Sequence, residues 1–293
     1  MLYDAAIVGT GPAGLSAATV LEARGKNIIW FGPEEMSSKI EKAEKISNYP
    51  GLGIITGYEL NEQFRAHIKE LGIEITNKFV TKISNFGGHF TLLADNEMHE
   101  AKTVLLASGI AVAKGFEGEK EHLGRGVSYC ATCDGMFYKG KTLAVYCGDK
   151  NFLPEVSYLA NIAEKVYMFS PDGQLAVPEN KVEKLGGRLA KILGENRVEA
   201  VELSNGDQIA VDGVFVLRNA IPPEELLPGL ELDGPHVAVN RQLHTNIDGC
   251  FAAGDNTGRP YQIAKAVGEG NVAAHEILEY LAKIDHSLQP KRL

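Results

Sequence analysis

Apolar positions along the chain fall into short runs separated by glycine. Tyr3 to Val8 is β-branched and apolar, Gly9 to Gly14 is glycine-rich, and Leu15 to Arg24 carries helical periodicity until Gly25 stops it. That order predicts strand, tight turn, helix. Asn27 to Phe31 is a second apolar run, so the opening reads as the βαβ start of a doubly wound sheet. Glu59 to Leu71 predicts a helix. Ile73 to Ile75, Phe90 to Leu93 and Lys102 to Ala107 predict strands, the last ending at Ser108-Gly109.

The opening pattern then recurs imperfectly. Lys141 to Gly148 predicts a strand, Pro154 to Ala163 a helix and Lys165 to Phe169 a further strand. Gly213 to Leu217 continues this middle region, after which Pro222-Pro223 and Pro228-Gly229 break regular structure. Cys250 to Asp255 runs from a strand into a tight turn, and Ala264 to Leu281 predicts a long helix. At 293 residues with 44% hydrophobic content, the chain exceeds what one small core needs, and two domains are expected.

Charge narrows the function classes. A formal net charge of -9 without clustered Lys and Arg argues against a nucleic-acid partner. No basic leader or long apolar segment points to export or to a membrane. Four cysteines, only two of them closely spaced, do not make a disulfide-stapled secreted scaffold. CxxC in a reducing compartment usually means redox or metal chemistry, so a cytoplasmic location is expected. The eight histidines show no HExxH-like spacing, and no metal is expected. Cys147 and Cys250 read as core residues at strand ends, Trp30 as core packing, and His275 as a helix-surface or interface residue.

Gly9-Thr10-Gly11-Pro12-Ala13-Gly14 fits GxGxxG directly after a strand and at the opening of a helix. Glycine there lets the backbone turn sharply and approach a pyrophosphate, which free amides and the helix dipole stabilise. A purely structural glycine turn is the bland alternative. The acidic residue expected about twenty positions on is absent, since Phe31-Gly32-Pro33 stands there, with Glu34 or Glu35 as possible substitutes. Cys130-Ala131-Thr132-Cys133-Asp134-Gly135 spaces two sulfurs to meet on one turn as a reversible disulfide, and a following helix would lower a thiol pKa. A structural zinc site competes with this reading but normally needs four ligands, and Cys147 and Cys250 stand apart.

Together, GTGPAG, Ser47-Asn48-Tyr49-Pro50-Gly51, Ala107-Ser108-Gly109, CATCDG, and Phe251-Ala252-Ala253-Gly254-Asp255 followed by Tyr261-Gln262-Ile263 resemble the low-molecular-weight thioredoxin reductases over nearly the whole chain. The resemblance implies an α/β fold of two Rossmann-like (three-layer ββα) domains, the second inserted into the first. A discontinuous FAD domain would span about residues 1–113 and 245–293, and a disulfide-bearing domain about residues 114–244. It implies FAD as cofactor, with Asp255 at the ribityl chain, the Gln262 and Ile263 backbone at the pyrimidine edge, and Asn48 close to the ring. Gly9, Gly11, Pro12, Ala13, Gly14, Gly32, Lys39, Val80, Ala107, Gly109 and Gly254 complete the expected FAD site. Cys133 would take electrons from the flavin, Cys130 would attack the partner disulfide, and Asp134 would relay the proton. Thioredoxin is the implied acceptor, and a homodimer is the family expectation.

The middle region departs from that family. Its second fingerprint reads Val145-Tyr146-Cys147-Gly148-Asp149-Lys150-Asn151, where only Gly148 remains, and Pro154 alters the opening of the next helix. Tyr146 and Cys147 would hinder backbone approach to a pyrophosphate, and Asp149 would repel it. Phe169-Ser170-Pro171-Asp172-Gly173 stands where a basic cluster for the NADPH 2′-phosphate is usual. This is similar to the ferredoxin-dependent flavin thioredoxin reductases, which implies ferredoxin as electron donor. Both proteins would be acidic, so encounter calls for a local basic patch, with Lys39, Lys42, Lys45, Arg259 and Lys265 as its candidates. A dithiol oxidase, an NADPH-dependent reductase and a non-catalytic redox sensor remain the rivals.

Overall fold

In the computed structural model, residues 1–41, 43–109, 115–171, 175, 177, 180–218 and 221–288 are described, apart from the side chains of Ser38, Cys133, Asn151, Ser287 and Leu288. Two compact units form. One comprises Met1–Ala111 with Pro222–Leu293, the other Val112–Ile221.

The first unit begins with β1 (Leu2–Val8), α1 (Pro12–Ala23) and β2 (Ile28–Phe31). β1 pairs in parallel with β2, and its last four residues are buried, as a strand covered on both faces requires. A one-turn α2 (Ser38–Glu41) precedes α3 (Gly57–Glu70). A reciprocal Thr56/Glu59 capping box fixes the start of α3, in which two otherwise orphaned donors find partners. Ile73 to Ile75 does not form the expected strand: Ile73 is buried, but only Thr76 bridges to the sheet, through Phe31. A strand unforeseen in the sequence, β3 (Val80–Asn85), follows, and a bulge near its start disrupts the alternation by which it would have been recognised. β4 (Phe90–Ala94) and β5 (Glu97–Leu106) complete an antiparallel meander with β3.

The second unit carries β6 (Val127–Ser128), one turn of helix α4 (Ala131–Asp134), β7 (Thr142–Cys147), α5 (Leu153–Ile162), β8 (Lys165–Phe169) and β9 (Val182–Lys184). A small antiparallel sheet, β10 (Leu189–Leu193), β11 (Ala200–Leu203) and β12 (Gln208–Ala210), covers a core that includes Phe169, Val201, Val214 and Val216. β13 (Gly213–Leu217), wholly buried, sits between β6 and β7 in a five-stranded parallel sheet of order β6-β13-β7-β8-β9.

The chain then returns to the first unit with α6 (Pro223–Leu226), the short pair β14 (Leu232–Asp233) and β15 (His236–Val237), β16 (Cys250–Ala252) and α7 (Ile263–Leu288). The return is at Pro222, earlier than the boundary at 245 read from the sequence, because residues on this stretch pack with the first unit. Leu243, for example, belongs to the same core as Ile7, Trp30 and Ile277. β16 joins the C-terminal half of β5, whose N-terminal half pairs with β4, so one ten-residue strand serves two neighbours on the same edge. α7 lies on α1 through small side chains. Ala13, Ala17, Ala18, Ala273 and Ala274 are buried, and a Cβ on Gly270 would stand 2.1 Å from the Ala13 carbonyl oxygen. Among the described residues no helix is long and apolar enough to cross a membrane.

Candidate functional site

The loop from β1 to α1 is held open by its glycines. Gly9 has φ +116°, and a Cβ there would lie 2.3 Å from the Ala107 carbonyl oxygen, so this loop and the end of β5 touch backbone to backbone. A Cβ on Gly14 would come just as close to the Gly9 carbonyl oxygen, at 2.0 Å. The same Gly9 carbonyl accepts a 2.9 Å hydrogen bond from Trp30 Nε1, so the only tryptophan braces the loop as well as filling the core. Gly11 differs: a Cβ there would meet nothing within 4 Å. Pro12 opens α1, whose N-terminus has neither a side-chain cap nor an acidic residue in its first turn. The donors that a helix start leaves unpaired therefore face space beside Gly11.

The remaining expected FAD residues lie in the same unit. Gly32, at φ +145°, packs against Thr10, whose hydroxyl donates to the Pro33 carbonyl. Lys39 Nζ donates to Asp255 Oδ2 at 2.5 Å and lies 5.2 Å from the Tyr261 ring centroid. Asn48 Nδ2 donates to Gln262 Oε1 at 2.7 Å, joining two residues 214 positions apart. Ile263 opens α7, Val80 is buried at the start of β3, Ala107 is buried after β5, and Gly109 adopts φ +71°. Gly254, at φ +96°, lies against Ala13 and donates its N–H to Glu269. Asn256, which the sequence reading did not single out, is buried beside this turn. Its Nδ2 donates to the Leu106 carbonyl, and its Oδ1 has no hydrogen-bond partner. An open phosphate cradle, φ-positive glycines and an orphaned buried acceptor fit an extended dinucleotide. Glu34 and Glu35 are exposed.

The proposed basic patch is reshaped by these contacts. Lys265 is unsuitable, because its Nζ donates to the Gly254 and Gly258 carbonyls and pairs with Glu269 at 3.0 Å. Arg259 shares the Tyr261 ring with Lys39, at 5.6 Å from the centroid. Lys45 is exposed elsewhere on the same unit, and Lys42 lies outside the described residues.

In the second unit Cys130 is in a disulfide and Cys147 is a buried free thiol, as is Cys250 on β16 of the first unit. Burial pushes Cys147 up to about 11 and Cys250 up to about 12, so neither is a thiolate at neutral pH. The helix expected after the cysteine pair is only the single turn α4, which passes into a 3-10 turn at Gly135–Tyr138 and has little dipole to offer. Asp134 instead accepts a 2.6 Å hydrogen bond from Ser128 Oγ.

A family model described as pyridine nucleotide-disulphide oxidoreductase matches residues 3–150 and 176–270. The chain belongs to that family. It is 33% identical to a thioredoxin reductase of Helicobacter pylori over 96% of this chain and 99% of that one. It is 30% identical to one of Bacillus subtilis over 98% of each chain. Among solved structures, a ferredoxin-flavin thioredoxin reductase from Clostridium acetobutylicum is 43% identical, covers 97% of this chain and 99% of that one, and superposes with a TM-score of 0.91. A thioredoxin reductase from Gloeobacter violaceus is 28% identical over 100% and 97%, with a TM-score of 0.79. Like these members of the pyridine nucleotide-disulphide oxidoreductase family, the chain is a flavoprotein oxidoreductase whose cofactor is FAD.

The second nucleotide turn of this family member is filled by the protein itself. Gly148 donates its N–H to the Leu217 carbonyl at 2.7 Å, and a Cβ on it would lie 3.0 Å from Arg218 Cβ. The surviving glycine is therefore explained by packing between β7 and the end of β13. Cys147 Sγ donates to the Asp149 carbonyl at 3.2 Å, and Tyr146 packs edge-on against Phe116 with ring centroids 5.0 Å apart. Arg218 is buried in an ion pair with Glu119, which also accepts hydrogen bonds from Tyr129 Oη at 2.7 Å and Phe116 N at 2.9 Å. Glu155 occupies the first turn of α5, where a phosphate would need positive potential. Neither Glu119 nor Arg218 was singled out from the sequence, since a lone Glu and a lone Arg 99 positions apart carry no motif.

Proposed function

We propose that the chain is a thioredoxin reductase that takes its electrons from ferredoxin rather than NADPH and delivers them through the Cys130/Cys133 pair. The observation that carries this reading is the second nucleotide turn, where Gly148 is committed to Arg218 and the neighbouring side chains to one another. The likeness to the Clostridium acetobutylicum ferredoxin-flavin enzyme supports it.

FAD, when bound, supplies the two electrons that open the disulfide. Gly9, Gly11 and Gly14 let the backbone approach its pyrophosphate, and the N-terminal amides of α1 balance the charge. Asn48, Gln262, Lys39 and Asp255 form two side-chain pairs that orient the rest of the cofactor. Reduction of the disulfide also takes up two protons. Asp134 delivers one of them to a thiolate of the pair, Cys133 accepts the electrons, and Cys130 then attacks the disulfide of thioredoxin. Two chains act as a homodimer.

Anaerobic titration of the purified flavoprotein tests the donor. Photoreduced ferredoxin bleaches the flavin within seconds, and thiols appear on added thioredoxin, whereas NADPH at the same concentration leaves the spectrum unchanged. Rapid bleaching by NADPH would overturn the proposal.

A further inference from the structure

Ser128, at the end of β6, is 4% exposed and stands where three polar atoms converge. Its Oγ lies 2.6 Å from Asp134 Oδ2, 3.1 Å from Cys130 N and 3.2 Å from the Cys130 carbonyl oxygen. β6 is fixed by parallel pairing with β13, Ser128 lying opposite Phe215, so the hydroxyl sits on rigid sheet rather than on the turn it serves.

A hydroxyl has one proton to donate and two lone pairs to accept with. The Cys130 N–H occupies one lone pair, which by itself makes an ordinary turn. That turn leaves unexplained why a carboxyl group is held at 2.6 Å on the other side. With Asp134 ionised, the hydroxyl proton points to Oδ2. With Asp134 protonated, the carboxyl donates to Oγ and fills its second lone pair, and the hydroxyl proton turns to the Cys130 carbonyl. Every group remains hydrogen-bonded in both states, and no heavy atom has to move.

We propose that Ser128 is a positioning residue for Asp134, a hydroxyl rotor that keeps the carboxyl aimed and hydrogen-bonded whether or not it carries its proton. The inference rests on the reading of Asp134 as the proton donor. The step it serves is balanced: the carboxyl proton passes to a thiolate sulfur, giving a thiol and a carboxylate, and the return of a solvent proton restores the acid. A half-buried acid without such a partner loses a hydrogen bond in one of its two states, and that loss appears directly in the rate.

The test uses the flavin-loaded protein, reduced anaerobically with dithionite, freed of excess reductant and mixed with oxidised thioredoxin. Flavin reoxidation is followed in a single turnover. Ser128→Ala slows it roughly ten- to hundred-fold, the effect expected from one lost charge-assisted hydrogen bond. Ser128→Thr, which keeps the hydroxyl, stays within roughly three-fold of the wild type. Asp134→Asn is slow, and adding Ser128→Ala to it costs less than about two-fold more, because residues that act as a unit are not additive.

An unchanged rate in Ser128→Ala overturns the inference, as does a full multiplicative loss in the double variant. A lowered melting temperature with an intact rate also overturns it and marks the hydroxyl as structural. An Asp134→Asn protein as fast as the wild type removes the proton-donor reading beneath it. A wild type whose reduced flavin ignores thioredoxin removes the proposed function instead.

Discussion

Arg218→Met removes one half of a buried ion pair and leaves Glu119, whose side chain is 1% exposed, with its charge uncompensated. Breaking such a pair costs about 3–5 kcal/mol, because the remaining charge cannot return to water. Glu119 keeps Tyr129 Oη and Phe116 N as donors, which places the expected loss near the lower limit, at about 3 kcal/mol. Over a unit of this size that corresponds to a fall of about 10 °C in its melting temperature. Far-ultraviolet circular dichroism follows both units, whereas Trp30, the only tryptophan, reports on the first alone. The dichroism transition splits, its earlier part belonging to the second unit, and the Trp30 signal stays in place. Adding Glu119→Gln removes the stranded charge, its amide oxygen still accepting from Phe116 N and its amide N–H donating to the Tyr129 hydroxyl oxygen, and it restores stability to within about 1 kcal/mol of the wild type. If the double variant melts as low as Arg218→Met, the electrostatic reasoning is refuted. Arg218 would then matter through its guanidinium over Phe116 and Tyr129, whose ring centroids its Cζ approaches to 5.9 and 6.0 Å.

Cys147 and Cys250 stay unmodified when the folded, reduced protein meets iodoacetamide at neutral pH, and mass mapping finds label only on the CxxC pair. The raised thiol values also predict an alkaline weakness. Below pH 9 the folded and unfolded chains both hold the Cys147 proton and the contribution is complete, while above pH 9 the unfolded chain ionises first and stability declines until about pH 11, which denaturant titrations across that range would reveal. Gly270→Val sets a side chain into the 2.1 Å gap to the Ala13 carbonyl, and the protein is expected to purify without flavin or not to fold, by absorbance and dichroism. Arg259→Glu inverts the charge beside Lys39 at Tyr261. Stopped-flow reduction by ferredoxin should slow several-fold at low salt and much less at high salt, while reduction by dithionite stays unchanged.

Legibility in the sequence followed the physics of each segment. Continuous apolar runs such as Tyr3–Val8 and Gly213–Leu217 announced fully buried parallel strands, and glycine at 9, 11 and 14 announced the turn. β3 escaped because its bulge sets Val80 and Ile83 three residues apart, and Ile73–Ile75 misled because Ile73 is buried and Ile75 half-buried without a ladder. Side-chain pairs closed over long separations, Asn48 with Gln262 and Lys39 with Asp255, joined residues already suspected separately. Ser128, Asn256, Glu119 and Arg218 were silent, since each draws its meaning from neighbours that only the fold supplies.

The seam between α1 and α7 has a consequence for biosynthesis. The strand and helix that finish the first unit, β16 and α7, emerge from the ribosome long after the glycine loop they complete. The second unit has by then been translated in full and can already be folded, so it matures ahead of the unit whose sequence it interrupts. Completion of the FAD-binding unit thus waits for α7. A chain truncated within α7 would be left with a formed disulfide unit and an unfinished flavin bed.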